Sequence, residues 1–333
     1  MNDSKVKIQS SIISILENCL PLNQIYIGYS GGVDSHVLLD ACALLPEFKS
    51  KITAVYIHHG LQKEADDWAI HCQKMAEKLG VLFLVQKVNA TVNQGESPEE
   101  SARNARYREF QNLIDDHDVL LIAQHREDQL ETVLLQLFRG SGLKGLAGIP
   151  EKMPFGKGTL LRPLLNVSKE IINAYAVQNH LNWVEDLSNQ STIYDRNFLR
   201  QEIIPKLKQR WSSLDKTVAR TAKHCADAET LQQKMIQIQF ETVFNSDDET
   251  LNIPNLLKYS QLEQCLILRE WFGKLNLKMP SQDFVHRIVS EVIFARIDRH
   301  PILHKKGVTI RRDKSKLLLL CDKYLVTSNT DKL

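Results

Sequence analysis

The hexapeptide Ser30-Gly31-Gly32-Val33-Asp34-Ser35 constrains this chain more than any other stretch. It follows a short β-like run, Ile25-Tyr26-Ile27-Gly28-Tyr29, and precedes an apolar helical stretch from Val37-Leu38-Leu39 to Leu44-Leu45. Strand, glycine turn and helix start make a phosphate-binding geometry. Paired glycines let backbone N–H groups converge on an anion with no Cβ in the way. The new helix adds its positive end and its unpaired N–H groups. Ser30 and Ser35 supply hydroxyl donors, and Asp34 supplies a candidate ligand for a hard cation. No Gly-Lys-Ser/Thr follows at the spacing of a Walker loop. A glycine pair before a helix also serves as a plain tight turn, so the flanking strand, helix and serines carry the functional reading.

The rest of the first half alternates strand and helix signals. Candidate strands fall at 26–29, 52–58, 81–88 and 119–123, with helical stretches at 37–45, 64–79 and 98–116 between them. Crossovers of this length imply a parallel sheet, and the apolar strands imply burial on both faces. Ligands in such sheets sit at the carboxyl ends of the strands. Ser30 follows one such end, His58-His59-Gly60 another and Gln124-His125 a third, so these motifs are expected to share one crevice. A helix at 127–138 leads into the glycine-rich run Arg139-Gly140-Ser141-Gly142-Leu143-Lys144-Gly145-Leu146, expected to be mobile. Residues 150–163, with Pro154, Gly156 and Gly158, read as a further loop. Helices are expected at 168–180, with Ser168 as N-cap, and at 194–208, interrupted by Pro205. After Trp211 come a long polar-rich helix at 215–244, helices at 262–272 and 284–294, and a small β element between 301 and 326. The fold class is therefore α/β: a doubly wound, Rossmann-like domain at 1–213, then a mostly helical domain with a short β tail at 214–333.

A chain of 333 residues has room for two domains. Its 43% hydrophobic and 25% charged content is ordinary for a globular protein. No apolar run approaches the roughly 18 residues of a membrane span, and the N-terminus lacks a secretory design, so a cytoplasmic location is expected. Six scattered cysteines form no Cys-x-x-Cys pair, which excludes an evident zinc or dithiol site. The net charge of +2 divides into +5 from Lys216 onward and −3 before it. That imbalance, with Lys305, Lys306, Arg311 and Arg312 near turns, permits nucleic-acid binding without demonstrating it.

Three further constellations carry candidate chemistry. The paired histidines of His58-His59-Gly60-Leu61-Gln62 suit contact with a nucleotide, or a capped strand end. Glu100, Arg103 and Tyr107 fall near one helix face, which suits an arginine aimed at a phosphate or carboxylate and equally a solvated face with ion pairs. In Ala123-Gln124-His125-Arg126-Glu127-Asp128-Gln129-Leu130-Glu131-Thr132, Asp128 and Glu131 share a face at a helix N-terminus. Such a pair can bind Mg²⁺, hold an ammonium group or act as a base, and acidic residues also favour helix N-termini on their own.

The hexapeptide resembles the pyrophosphate loop (PP-loop) of the N-type ATP pyrophosphatases, which adenylate a carbonyl oxygen and displace AMP with a nitrogen or sulfur nucleophile. With it occur, in order, His59-Gly60-Leu61, Glu100-x-x-Arg103-x-x-Arg106-Tyr107, the His125–Thr132 motif, the Arg139 glycine run and Arg162-Pro163-Leu164-Leu165. Trp183-x-Glu185-Asp186-x-Ser188-Asn189 and Tyr194-x-Arg196-Asn197-x-x-Arg200 with Pro205 complete the set. The set resembles the bacterial tRNA(Ile)-lysidine synthetase family over about residues 20–212. The resemblance implies ligation of free L-lysine to the wobble cytidine of tRNA(Ile) with anticodon CAU, using ATP and Mg²⁺, with no membrane and no obligate protein partner. It implies a nucleotide site of Ser30, Gly31, Gly32, Val33, Asp34, Ser35, His59, Gly60 and His125, with Asp34 also on Mg²⁺. It implies catalytic roles for Asp34, Asp128, Glu131 and Arg103, and lysine or tRNA contacts for Glu100, Arg106, Arg139, Arg196, Asn197 and Arg200. Gln124 and Glu127 depart from the family's common histidine and aspartate while keeping polarity or charge. Rival readings are a PP-loop tRNA thiolase, a small-molecule amidating ligase and a non-catalytic nucleotide sensor.

Overall fold

The computed structural model describes residues 3–58, 65–88, 98–185, 192–296, 300–305 and 307–321, with backbone alone at 98–100 and Ala102. His59, Gly60 and Lys306 lie outside the described residues. Helix α1 (Asp3–Glu17) leads into β1 (Ile25–Gly28), α2 (Val33–Ala43), α3 (Pro46–Lys49) and β2 (Ile52–His58). Then come α4 (Ala65–Leu79), β3 (Leu82–Lys87), α5 (Pro98–Leu113), β4 (Val119–Leu121) and α6 (Arg126–Phe138). All four strands run parallel, with β1 between β2 and β4 and β3 outside β2. Ile25, Ile27 and Ala54 bury on one face of this sheet, while Val55, Ile57 and Leu120 bury with a separate cluster. Burial on both faces explains why these strands read as continuous apolar runs. The chain moves outward from β1 through β2 and β3, then returns to lay β4 on the other side of β1. Such a reversal opens a crevice at the carboxyl ends of the two central strands. Ser30 follows β1 and His125 follows β4.

Residues 150–163 are a β-hairpin, not the loop expected from their prolines and glycines. After the short helix α7 (Leu143–Leu146), strands β5 (Lys152–Phe155) and β6 (Gly158–Leu161) complete a six-stranded sheet in the order β3-β2-β1-β4-β6-β5. Strand β6 pairs parallel with β4, and β5 forms the antiparallel edge. Pro154 sits on that edge, where a missing N–H breaks no essential ladder bond. Gly156, at φ 58°, makes the turn. The breakers mark a turn and an edge, while Phe155, Leu160 and Leu161 bury as strand residues do.

Helix α8 (Lys169–Gln178) follows Ser168, which takes the N-cap conformation without a side-chain cap bond. Helix α9 (Asp195–Phe198), a π turn (Leu199–Ile203) and α10 (Ile204–Arg210) form one continuous run. The interruption expected at Pro205 takes the form of this π turn, which absorbs the missing N–H just ahead of the proline. The chain divides into two units, Met1–Ala226 and Asp227–Leu333. The division falls within α11 (Leu214–Val243), whose start is where the sequence reading sets its boundary. In the second unit, β7 (Phe244–Asn245), β8 (Thr250–Asn252), β9 (Ile302–Lys305), β10 (Val308–Asp313) and β11 (Lys316–Cys321) form an antiparallel sheet in the order β7-β8-β11-β10-β9. Its own core gathers Trp271, Phe272, Phe284, Ile288 and Ile310. Among the described residues no helix is long and apolar enough to cross a membrane.

Candidate active site

The pyrophosphate loop is built by its own short-range bonds. Ser35 Oγ accepts from the Ser30 N–H at 3.2 Å and donates to Gly32 O at 2.9 Å, closing the turn. Helix α2 begins at Val33, inside the glycine motif, and its N-cap Gly32 offers no side-chain acceptor. The first-turn N–H groups are thus left without a cap, as an anion site requires. Gly31 sits at φ 83°, and a Cβ there would meet Cys72 Sγ at 2.9 Å. A Cβ on Gly32 would find nothing nearer than Ser30 Oγ at 3.6 Å. Beneath the loop lies a neutral floor. Burial, with repulsion from His71, pushes the His36 imidazole down to about 4. Burial pushes the Cys72 thiol up to about 12.

His125 joins this loop to the carboxylates of α6. Its Nε2 lies 3.7 Å from Asp34 Oδ2 and 3.5 Å from Asp128 Oδ2. Its Nδ1 lies 3.2 Å from Glu127 Oε2, a close charge contact off the hydrogen-bond line. Burial favours the neutral ring, but Glu127, Asp128 and Asp34 outweigh it and raise the imidazole above its ordinary value. Glu127 also accepts the Lys169 N–H at 2.9 Å and Lys208 Nζ at 3.2 Å. Burial would raise its carboxyl, yet these donors and His125 bring it down to about 2. The longer reach of glutamate over aspartate is what spans from α6 to the start of α8. Asp34 itself meets the Lys169 ammonium through Oδ1.

Asp128 and Glu131 do not form an open carboxylate pair: Glu131 is closed off by arginines, while Asp128 is the more exposed of the two. Glu131 is 1% exposed, with Arg196 Nε on Oε2 at 2.7 Å and Arg200 Nε on Oε1 at 2.6 Å. Four residues apart on one helical run, Arg196 and Arg200 stand side by side on this one carboxylate. Asp128 accepts the His125 N–H at 2.9 Å and lies 3.3 Å from Arg200 and 3.5 Å from Arg196. Of the two acids it is the more open, at 15% exposure.

The other expected residues sit on or beside α5, α6 and α9. Arg103 and Arg106 stand 5.5 and 5.8 Å from the Tyr107 ring centroid, and no described contact brings them to Asp34 or Asp128. Glu100 lies in the first turn of the same helix. Asn197 is half-buried on α9 beside Arg196. Arg139 is exposed at the far end of α6, about 16 Å along the axis from Asp128. In the second unit, Arg312 donates to Ile293 O and Ala295 O at 2.8 and 2.9 Å, and Lys305 to Ser281 Oγ at 2.7 Å. Those two basic residues brace the fold. Sequence reasoning missed Lys169, Lys208 and the buried Arg162, which donates to Gln124 Oε1 and to Pro150 O at 2.7 Å. The Arg162-Pro163 motif flagged that arginine without a role. The two lysines carry no local signal.

Residues 4–207 match the PP-loop domain family, and residues 251–318 match the TilS substrate binding domain. The chain is 44% identical over 309 residues to the tRNA(Ile)-lysidine synthase of Vibrio parahaemolyticus, covering 92% of this chain and 70% of that protein. It is 39% identical over 318 residues to that of Proteus mirabilis, covering 92% and 72%. Among solved structures, the U34-tRNA thiolase NcsA from Methanococcus maripaludis superposes with a TM-score of 0.54 at 18% identity, covering 67% of this chain and 78% of that one. At that identity the likeness speaks for the fold alone. Identity at the first level, carried through most of the chain with both domain matches, makes this a ligase of the tRNA(Ile)-lysidine synthase family, built on a PP-loop ATP-using domain.

Proposed function

We propose that the protein joins free L-lysine to C2 of the wobble cytidine of tRNA(Ile) with anticodon CAU, giving lysidine, AMP and pyrophosphate. ATP first adenylates the C2 carbonyl oxygen, and the lysine ε-amine then attacks C2 and expels AMP. The observation that carries this reading is His125, whose Nε2 lies within 3.7 Å of both Asp34 in the loop and Asp128 on α6. A site for phosphate chemistry and a site for an ammonium nucleophile thus adjoin in one crevice. The loop from Ser30 to Ser35 holds the departing pyrophosphate. Asp128 receives the ε-ammonium and helps take its proton. Glu131 orients Arg196 and Arg200, and Arg200, the more exposed at 42%, meets the lysine carboxylate.

Asp34 suits Mg²⁺, which takes one or two carboxylates and draws its remaining ligands from substrate phosphates and water. The carboxylate is 30% exposed beside the loop. Among the described residues no group of three or more His, Cys, Asp or Glu side chains makes a metal cage, so the nucleotide's oxygens would complete the shell. When bound, Mg²⁺ would neutralise charge on the phosphates. The second unit, with its TilS substrate binding domain, holds tRNA(Ile), and the enzyme works in the cytoplasm. No observation favours a thiolase, since the cysteine under the loop is a buried, protonated thiol. The test is nucleoside analysis of cytidine-bearing tRNA(Ile) after incubation with ATP, Mg²⁺ and labelled lysine. Label in a modified cytidine is expected. Pyrophosphate release with no label in the tRNA would refute the assignment.

A further inference from the structure

Lys169 is a cation at the pyrophosphate loop to which the sequence pattern assigns no role. It opens α8, and its backbone N–H is bound to Glu127 Oε2 at 2.9 Å, which anchors the residue whatever its side chain does. The ammonium crosses to Asp34, 135 positions away in the chain. The two side chains are 32% and 30% exposed, so the pair stands at the mouth of the loop.

Charge compensation around the crevice is tight. The described residues set the carboxylates Asp34, Glu127, Asp128 and Glu131 against Lys169, Lys208, Arg196 and Arg200. A triphosphate arriving at the loop adds several negative charges beside Asp34. Some cation must turn towards it. Arg196 and Arg200 each bridge Asp128 and the buried Glu131, so moving either strands a buried charge. Lys208 pairs with Glu127 deeper in the network. Lys169 has a single carboxylate partner among the described residues, partial exposure and a flexible four-carbon stem.

We propose that Lys169 is a phosphate-contacting residue of this site, whose ammonium exchanges the Asp34 carboxylate for the phosphates of ATP. The exchange frees Asp34 for the divalent cation at the moment the nucleotide enters. This inference rests on the ATP-dependent reading above. It makes Lys169 and a divalent cation competitors for one carboxylate, and Asp34 and ATP competitors for one ammonium.

The test uses the full chain with Lys169→Met and Lys169→Arg. Binding of Mn²⁺ alone is followed by electron paramagnetic resonance, and binding of ATP by equilibrium dialysis. Lys169→Met should bind ATP about tenfold more weakly. It should bind Mn²⁺ several-fold more tightly, because Asp34 has lost its competitor. Opposite signs are the signature, since a residue that merely braces the helix would weaken both. Lys169→Arg keeps the charge and should hold ATP within about threefold of wild type. Unchanged affinities in Lys169→Met, both affinities weakened together, or a tenfold ATP loss in Lys169→Arg would each overturn the proposal. Failure of the wild-type protein to bind ATP would instead overturn the reading on which it rests.

Discussion

Gly31 and Gly32 are neighbours, yet the structure asks different things of them, and alanine at each position separates fold from function. At Gly31 the backbone is left-handed, at φ 83°, and the added methyl would stand 2.9 Å from Cys72 Sγ. A non-glycine residue in that region costs about 1–2 kcal/mol. Crowding a buried neighbour adds roughly 1–3 kcal/mol. Cys72 is fully buried, so it has little room to yield. Gly31→Ala should therefore lower the unfolding midpoint of the first unit by roughly 5–15 °C. At Gly32 the backbone is extended, at φ −70° and ψ 159°, and a methyl meets nothing closer than 3.6 Å. The protein alone tolerates it, at a cost of at most about 1 kcal/mol for losing glycine at an N-cap. A bound phosphate would not, because that methyl stands at the uncapped helix end. Displacing the reacting phosphate by about 1 Å is enough for roughly a 100-fold loss of rate. The assay pairs thermal unfolding with tRNA-dependent pyrophosphate release. Gly32→Ala should fold normally and release pyrophosphate about 100-fold more slowly. Normal turnover by that variant would refute the anion-site reasoning, and an unshifted midpoint for Gly31→Ala would refute the packing argument.

Three other outcomes follow from named contacts. Asp128→Asn should raise the lysine concentration needed for lysidine formation while pyrophosphate release continues; equal damage to both steps would assign Asp128 to the metal or to capping instead. Glu131→Gln leaves two guanidiniums poorly compensated at a buried position, so it should destabilise the fold by about 3–5 kcal/mol in chemical denaturation, and a change under 1 kcal/mol would show that solvent already screens the cluster. Glu127 is held at about 2 against an ordinary 4.5, and a depressed folded value gives stability that is complete above the unfolded value and lost as pH falls through the folded one. Wild type should therefore lose its stability advantage over Glu127→Gln between about pH 4.5 and 2, and parallel stability curves across that window would contradict the donors assigned to Glu127.

Sequence alone determines the first unit's parallel core. The loop motif and the alternation of apolar strands with helices are short-range signals, set by backbone sterics and by periods that a local window contains. They place Ser30 and His125 at neighbouring strand ends, because the strand order makes those ends converge. The same local logic fails where one residue type serves two structures. Pro154 and Gly156 mark a loop or a hairpin edge and turn equally well, and only the burial of Phe155 and Leu161 decides between them. Helix α1 escaped notice because its apolar face, with Ile8, Ile12 and Leu16, has meaning only against α2 and α8, on which it packs. The charges of the site belong to tertiary structure altogether. Asp128 and Glu131 share a helix face by spacing, but which of them stays open depends on arginines 65 and 69 positions from Glu131. Lys169 reaches Asp34 only because the starts of α8 and α2 meet at the same crevice. Long polar side chains pair through space, with partners chosen by where helix ends converge. No periodicity in a linear sequence encodes that choice.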